Sequence, residues 1–171
     1  MASFRSSSIV EQSSGSGVTI ADCLFKDGVP FGNISWSMYS TAVQLLGASQ
    51  QQITFNVEDW DTHGSIVDLA NNRATVPYSG KYYIAFENTL RETGRYVLVF
   101  VRVNGTGIRS HSDYSFALAN SAYKPFECLL DLTAGDHVDI TMYGYTAINV
   151  GELVASASTQ GARLTGVFIS E

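Results

Sequence analysis

Charge is the scarcest thing in this sequence. Asp, Glu, Lys and Arg make up only 15% of the 171 residues, against 45% hydrophobic, where a typical domain carries about 25% charged residues. Less charge means less solvated surface, and so surface hidden in an assembly. The charge that is present runs acidic, with a formal net of −6. A nucleic-acid binder needs the opposite, a basic footprint, so nucleic acid is excluded as a partner. No apolar run approaches the roughly 20 residues of a bilayer-spanning helix, and no membrane partner is expected. The segment Ser3-Phe4-Arg5-Ser6-Ser7-Ser8 is polar where a secretory signal needs an apolar centre, so no secretion leader is expected. Cysteine is almost missing. Cys23 and Cys128 stand far apart, and two cysteines in a large chain without a leader are expected to be reduced thiols rather than a staple.

Catalytic signatures are also lacking. His111-Ser112-Asp113 brings hydrolase residue types together, but neighbours on an extended strand point to opposite faces and cannot form a relay by adjacency. Gly15-Ser16-Gly17 lacks the spacing of a nucleophile elbow. There is no phosphate loop and no paired-cysteine zinc motif. Asn33-Ile34-Ser35 and Asn104-Gly105-Thr106 fit the glycosylation pattern but are chance matches in a chain without a leader. The expectation is a protein that is not an enzyme and carries no cofactor. Asp59, Asp61 and His63, at i, i+2 and i+4, would share one face of an extended segment and are the only candidate metal ligands. Oxygen-only sets suit calcium better than a set with histidine, so the triplet reads first as a solvated polar turn.

What the chain has in quantity is aromatics, nine Tyr and nine Phe, with fifteen Gly. They punctuate strands. Residues 52–87 are the centre of the pattern. Ile53, Phe55 and Val57 alternate with Thr54, Asn56 and Glu58, the period of a strand with one buried face. Gly64, Asn71-Asn72 and Ser79-Gly80 mark turns. Pro77 offers no amide donor and suits a strand end. In the strand that follows, Tyr82, Ile84 and Phe86 face one way and Tyr83, Ala85 and Glu87 the other. Both faces carry an aromatic, so one is expected in the core and the other against a neighbouring subunit.

The run NRATVPYSGKYYIAF (72–86) is similar to the central signature of the complement and tumour-necrosis-factor jelly-roll superfamily. The match continues in order. YVLVFVRVN (96–104) with Gly105 resembles the family's strand and Asn-Gly turn. Leu132 to Val138 resembles its "L-x-x-G-D-x-V" motif, and Gly166 to Ile169 its closing strand. The resemblance covers residues 36–171. It implies an all-β fold, a ten-stranded jelly-roll sandwich that trimerises about a threefold axis. It places Tyr82, Tyr83, Phe86, Tyr143 and Phe168 at the core or subunit interface, and these five are the expected trimer contacts.

Three regions follow. Residues 1–14 are Ser-rich and cannot bury enough surface to fold alone. They are expected to form an extended arm, with Phe4, Ile9 and Val10 as anchors on a partner. In residues 15–35, Val18 and Ile20 alternate with Thr19, Leu24 follows at strand spacing and Lys26-Asp27-Gly28 closes with a turn. This pattern, G-x-G-V-T-I-x-x-x-L-x-K-D-G, resembles a short segment of phage structural proteins and is expected to form a β collar. Residues 36–171 form the head. Its first strand is expected from Trp36 to Leu45, one or two short strands between Ile108 and Ala117, and a long loop with a short strand over 146–161. The function expected is that of a trimeric bacteriophage virion protein, a capsid decoration or cement protein assembled in the host cytoplasm. Its partners would be its own copies and the major capsid protein or neighbouring cement subunits. A host-binding fibre head, read out by loops 59–65 and 146–161, is the first alternative, and a secreted signalling ligand the second.

Overall fold

Alternation of apolar and polar side chains builds two sheets on one core. The computed structural model describes residues 24–26, 29–31, 34–46, 49–90, 95–115, 122–123, 125–144, 148–150 and 161–170, and every regular element among them is a strand. One sheet has five strands, in the order β14 (Phe126–Leu132), β9 (Gly80–Glu87), β17 (Arg163–Ser170), β3 (Ser35–Tyr39) and β6 (Val57–Asp61), each pair antiparallel. The second runs β12 (Thr106–Ser115), β11 (Arg95–Val103), β15 (His137–Gly144), β8 (Arg73–Thr75) and β7 (Val67–Asp68), with β5 (Gln51–Gln52) also paired to β15. A smaller sheet joins β13 (Ala122–Tyr123), β10 (Thr89–Leu90), β16 (Ile148–Val150) and β4 (Gln44–Leu46). β1 (Leu24–Lys26) and β2 (Val29–Phe31) pair antiparallel within the segment expected as a collar.

The inward residues of both large sheets meet in a single core. Tyr82, Ile84 and Phe86 of β9 are wholly buried, with Trp36, Met38 and Leu164 beside them and Val101, Ile140 and Met142 from the facing sheet. Tyr82 lies between Trp36 and Phe168, with ring centroids 5.9 and 5.2 Å away. Its hydroxyl donates to the Tyr78 carbonyl at 2.8 Å. Gly166 stands inward between Trp36 and Ile84. A side chain there would run into the Trp36 ring. The tryptophan thus fills the space that the glycine leaves.

The turns follow from local chemistry. Asn104 and Gly105 both adopt positive φ, 52° and 79°, as a two-residue hairpin of the strand-matching hand requires. This closes β11 onto β12 with Val103 opposite Thr106. Asp136 pins the turn before β15, accepting from Thr133 N at 2.8 Å and Asn104 Nδ2 at 2.7 Å. β8 stops at Thr75, two residues before Pro77.

Three strand expectations are corrected. The run 36–45 is not one strand. It breaks between β3 and β4, where the Ser40 hydroxyl accepts from Ala42 N at 3.2 Å and donates to Ala42 O at 2.9 Å, a local turn. Ile53 and Phe55 are buried as their alternation predicts, but residues 53–56 carry no ladder. They cross from β5 in one sheet to β6 in the other. Side-chain amides stand in for a partner strand: Thr54 N donates to Gln44 Oε1 at 2.8 Å and Phe55 N to Asn72 Oδ1 at 2.8 Å. Finally, Ile34 is 6% exposed and packs in the core, and β3 begins at Ser35, ahead of the expected start at Trp36.

Candidate interaction face

The outward face of the five-stranded sheet has an apolar end and a charged end. Leu129 of β14, Tyr83 of β9 and Val167 of β17 lie directly opposite one another across three strands. Leu129 is 60% exposed, and Ile169, beyond a register shift in β17, is 50% exposed. The stripe therefore leaves large apolar side chains in water. The Tyr83 hydroxyl bonds to Glu127, and that contact together with slight burial and the nearby acids raises its pKa above the ordinary phenol value.

Two registers along, Glu87, Arg163 and Tyr39 lie across β9, β17 and β3. Arg163 Nη1 donates to Asp59 Oδ2 at 2.6 Å and to Ser37 Oγ at 2.8 Å. Its guanidinium carbon lies 5.4 Å from the Tyr39 ring centroid and 5.8 Å from that of Trp60. A bulge between Ser37 and Met38 sets Asp59 out of the regular alternation of β6.

The candidate metal ligands diverge. Asp59 is taken by Arg163. Asp61 turns the other way and organises the loop after β6: Oδ1 accepts from His63 N at 2.9 Å and Gly64 N at 2.8 Å, while Oδ2 accepts from Ile66 N at 2.6 Å and Val67 N at 3.0 Å. Burial pulls the Asp61 pKa upward, but the four backbone donors outweigh it and hold the group below the ordinary carboxylate value. His63 Nδ1 meets Ser65 Oγ at 2.9 Å, and its ring stands edge-on to Tyr78. The expectation of a shared face is thus corrected, because the bulge and the loop break the period of two. Among the described residues no three His, Cys, Asp or Glu side chains gather as a metal site.

The five expected trimer contacts also separate. Tyr82, Phe86 and Phe168 are buried inside the single subunit, which corrects their assignment to the interface: they occupy the inward positions of β9 and β17. Tyr83 is half-buried on the outward face. Tyr143 is half-buried opposite Leu98 on β11, in the other large sheet, so it shares no face with Tyr83. Phe4, Ile9 and Val10 lie outside the described residues, as does Cys23. Cys128 is a free thiol, its pKa raised by burial and drawn back partly by Arg109. Sequence reasoning missed Arg163, whose partner Asp59 lies 104 residues away and has no local signal.

No family model matches this sequence, and no curated protein does. Solved structures do match in shape. The globular domain of zebrafish complement 1qA protein superposes with a TM-score of 0.56 at 18% identity, over 81% of this chain and 99% of that one. The fold is the complement and tumour-necrosis-factor jelly roll. Eiger TNF from S. frugiperda has the same TM-score, 0.56, at 10% identity, over 81% of this chain and 93% of that one. At these identities the likeness carries the fold and nothing further.

Proposed function

We propose that this chain is a non-enzymatic assembly protein whose jelly-roll head forms a homotrimer, and that the trimer is a structural component of a phage virion, decorating or cementing the capsid. The observation that supports self-association is the stripe of Leu129, Tyr83 and Val167, with Ile169 nearby. Exposed apolar surface rimmed by polar groups marks an interaction site. Closed symmetry repeats the stripe on every copy and lets one patch serve the whole assembly. The phage reading is supported by the sequence of residues 15–35 and by the Ser-rich arm with Phe4, Ile9 and Val10. In it, the arm engages the major capsid protein or neighbouring cement subunits, and three weak attachments act together.

A second reading, a signalling-type ligand head, is favoured by the names of the two solved structures, a complement domain and a TNF. Labelling of intact particles with an antibody to the head separates the two. Label over the capsid is the expected result. Label at the tail end favours host binding, and absence from any particle overturns the virion role.

A further inference from the structure

At the charged end of the outward face, Trp60 stands 40% exposed yet is held in place. Its indole N–H donates to Ser35 Oγ at 3.3 Å. Arg163 packs between it and Tyr39, fixed in turn by Asp59 and Ser37. A side chain fastened by a hydrogen bond and a stacked cation presents a rigid plate to solvent. Binding to a plate already in position loses little conformational entropy. The bulge in β6 that sets Asp59 against Arg163 is the kind of irregularity that re-aims side chains beside sites.

We propose that Trp60, Arg163, Tyr39 and Asp59 form a binding site for a neutral pyranose sugar. A pyranose has an apolar face of axial C–H groups and a rim of hydroxyls. The first matches the exposed indole, and the second matches a carboxylate acceptor and a guanidinium donor side by side. An aromatic wall with a few placed polar groups is the usual make-up of a small-ligand site. The surroundings select against acidic sugars. Arg163 is already paired with Asp59, and Glu87 lies directly opposite Arg163 on β9. A carboxylated sugar would meet unbalanced negative charge. Ser35, which holds the Trp60 indole, lies opposite Val167 of the apolar stripe. The cluster therefore adjoins the surface proposed for self-association, and the exposure of Trp60 in the native assembly distinguishes a sugar site from a contact between copies.

The test uses the full chain and the methyl glycosides of mannose, galactose and N-acetylglucosamine at millimolar concentration, read by saturation-transfer NMR, with sialic acid as the charged control. The expected result is transfer to the C–H face of at least one neutral glycoside and none to sialic acid. Trp60→Ala weakens binding by about tenfold or more. Arg163→Lys, which keeps the charge but loses the planar stack, weakens it less. Native elution volume and unchanged melting of both variants keep the loss attributable to the site. Two results overturn the proposal. One is no transfer to any neutral glycoside, or transfer unchanged in Trp60→Ala. The other is Trp60 shielded from acrylamide quenching in the native assembly, which makes the cluster a contact between copies. Trp36, wholly buried, serves as the unquenched internal reference.

Discussion

Asp61→Asn changes a single atom, but it takes away half of what holds the loop after β6. The two carboxylate oxygens accept four backbone N–H groups. The asparagine amide keeps one acceptor and turns an NH2 toward the other two donors. We expect a loss of about 2 kcal/mol, seen as a lower denaturation midpoint in urea. The sign of the pH effect follows from the direction of the shift. A carboxyl held below its ordinary value of 3.8 stabilises fully above that value, and the contribution drains away as pH falls through the lower folded value. Melting curves of Asp61→Asn are therefore expected to fall less steeply on the acid side than those of the native chain. Tyr82 has the mirror behaviour. Burial pushes its pKa up to about 12, so its contribution is present below pH 10 and is lost as pH rises toward 12. Gly166→Ala forces a methyl group into the Trp36 ring and is expected to cost about 3 kcal/mol, measured as the drop in urea midpoint.

At the scale of the strand, β9 separates two kinds of aromatic that sequence reasoning grouped together. Phe168→Asp buries an unpaired charge in the core and is expected to unfold the subunit. Tyr83→Asp or Leu129→Asp changes only the outward stripe. Either is expected to leave the melting of the isolated head nearly intact while converting the assembly to monomer in light scattering. Loss of the subunit fold in Leu129→Asp would show that the stripe belongs to the core. The alternation in β9 was legible because period two is a local property, and the Asn104-Gly105 hairpin was legible because positive φ at two successive residues demands those residue types. The break at Ser40 was not, since a hydroxyl that turns the chain looks the same in sequence as one on a strand surface. Nor was the split of Asp59, Asp61 and His63. A bulge shifts the period by one residue, and Arg163, the partner that fixes Asp59, arrives from the far end of the chain. Residues 53–56 gave the right burial and the wrong ladder, because burial alternates in any extended segment whether or not a strand lies alongside.

For the whole molecule, the low charge and the exposed stripe both fit the proposed homotrimer, in which the head is complete only among its copies. Deleting residues 1–14, a Ser-rich segment too poor in apolar side chains to fold alone, is expected to leave that head folded and trimeric and to weaken its attachment to particles. Sedimentation of the truncated protein with and apart from particles measures the difference, and loss of the trimer would place the arm inside the assembly. The order of strands has a consequence for how the protein is made. β17 lies in the middle of its sheet, between β9 and β3, and Thr165 meets Ser37 from 128 residues away. As the chain leaves the ribosome, β3 and β9 are out early, and each must wait with a bare edge for a strand made much later. Pairings of such long sequence separation form slowly, and unpaired edges are templates for pairing with another chain. On a polysome, where sister chains wait in the same state, the gap that β17 fills is the place where folding and aggregation compete.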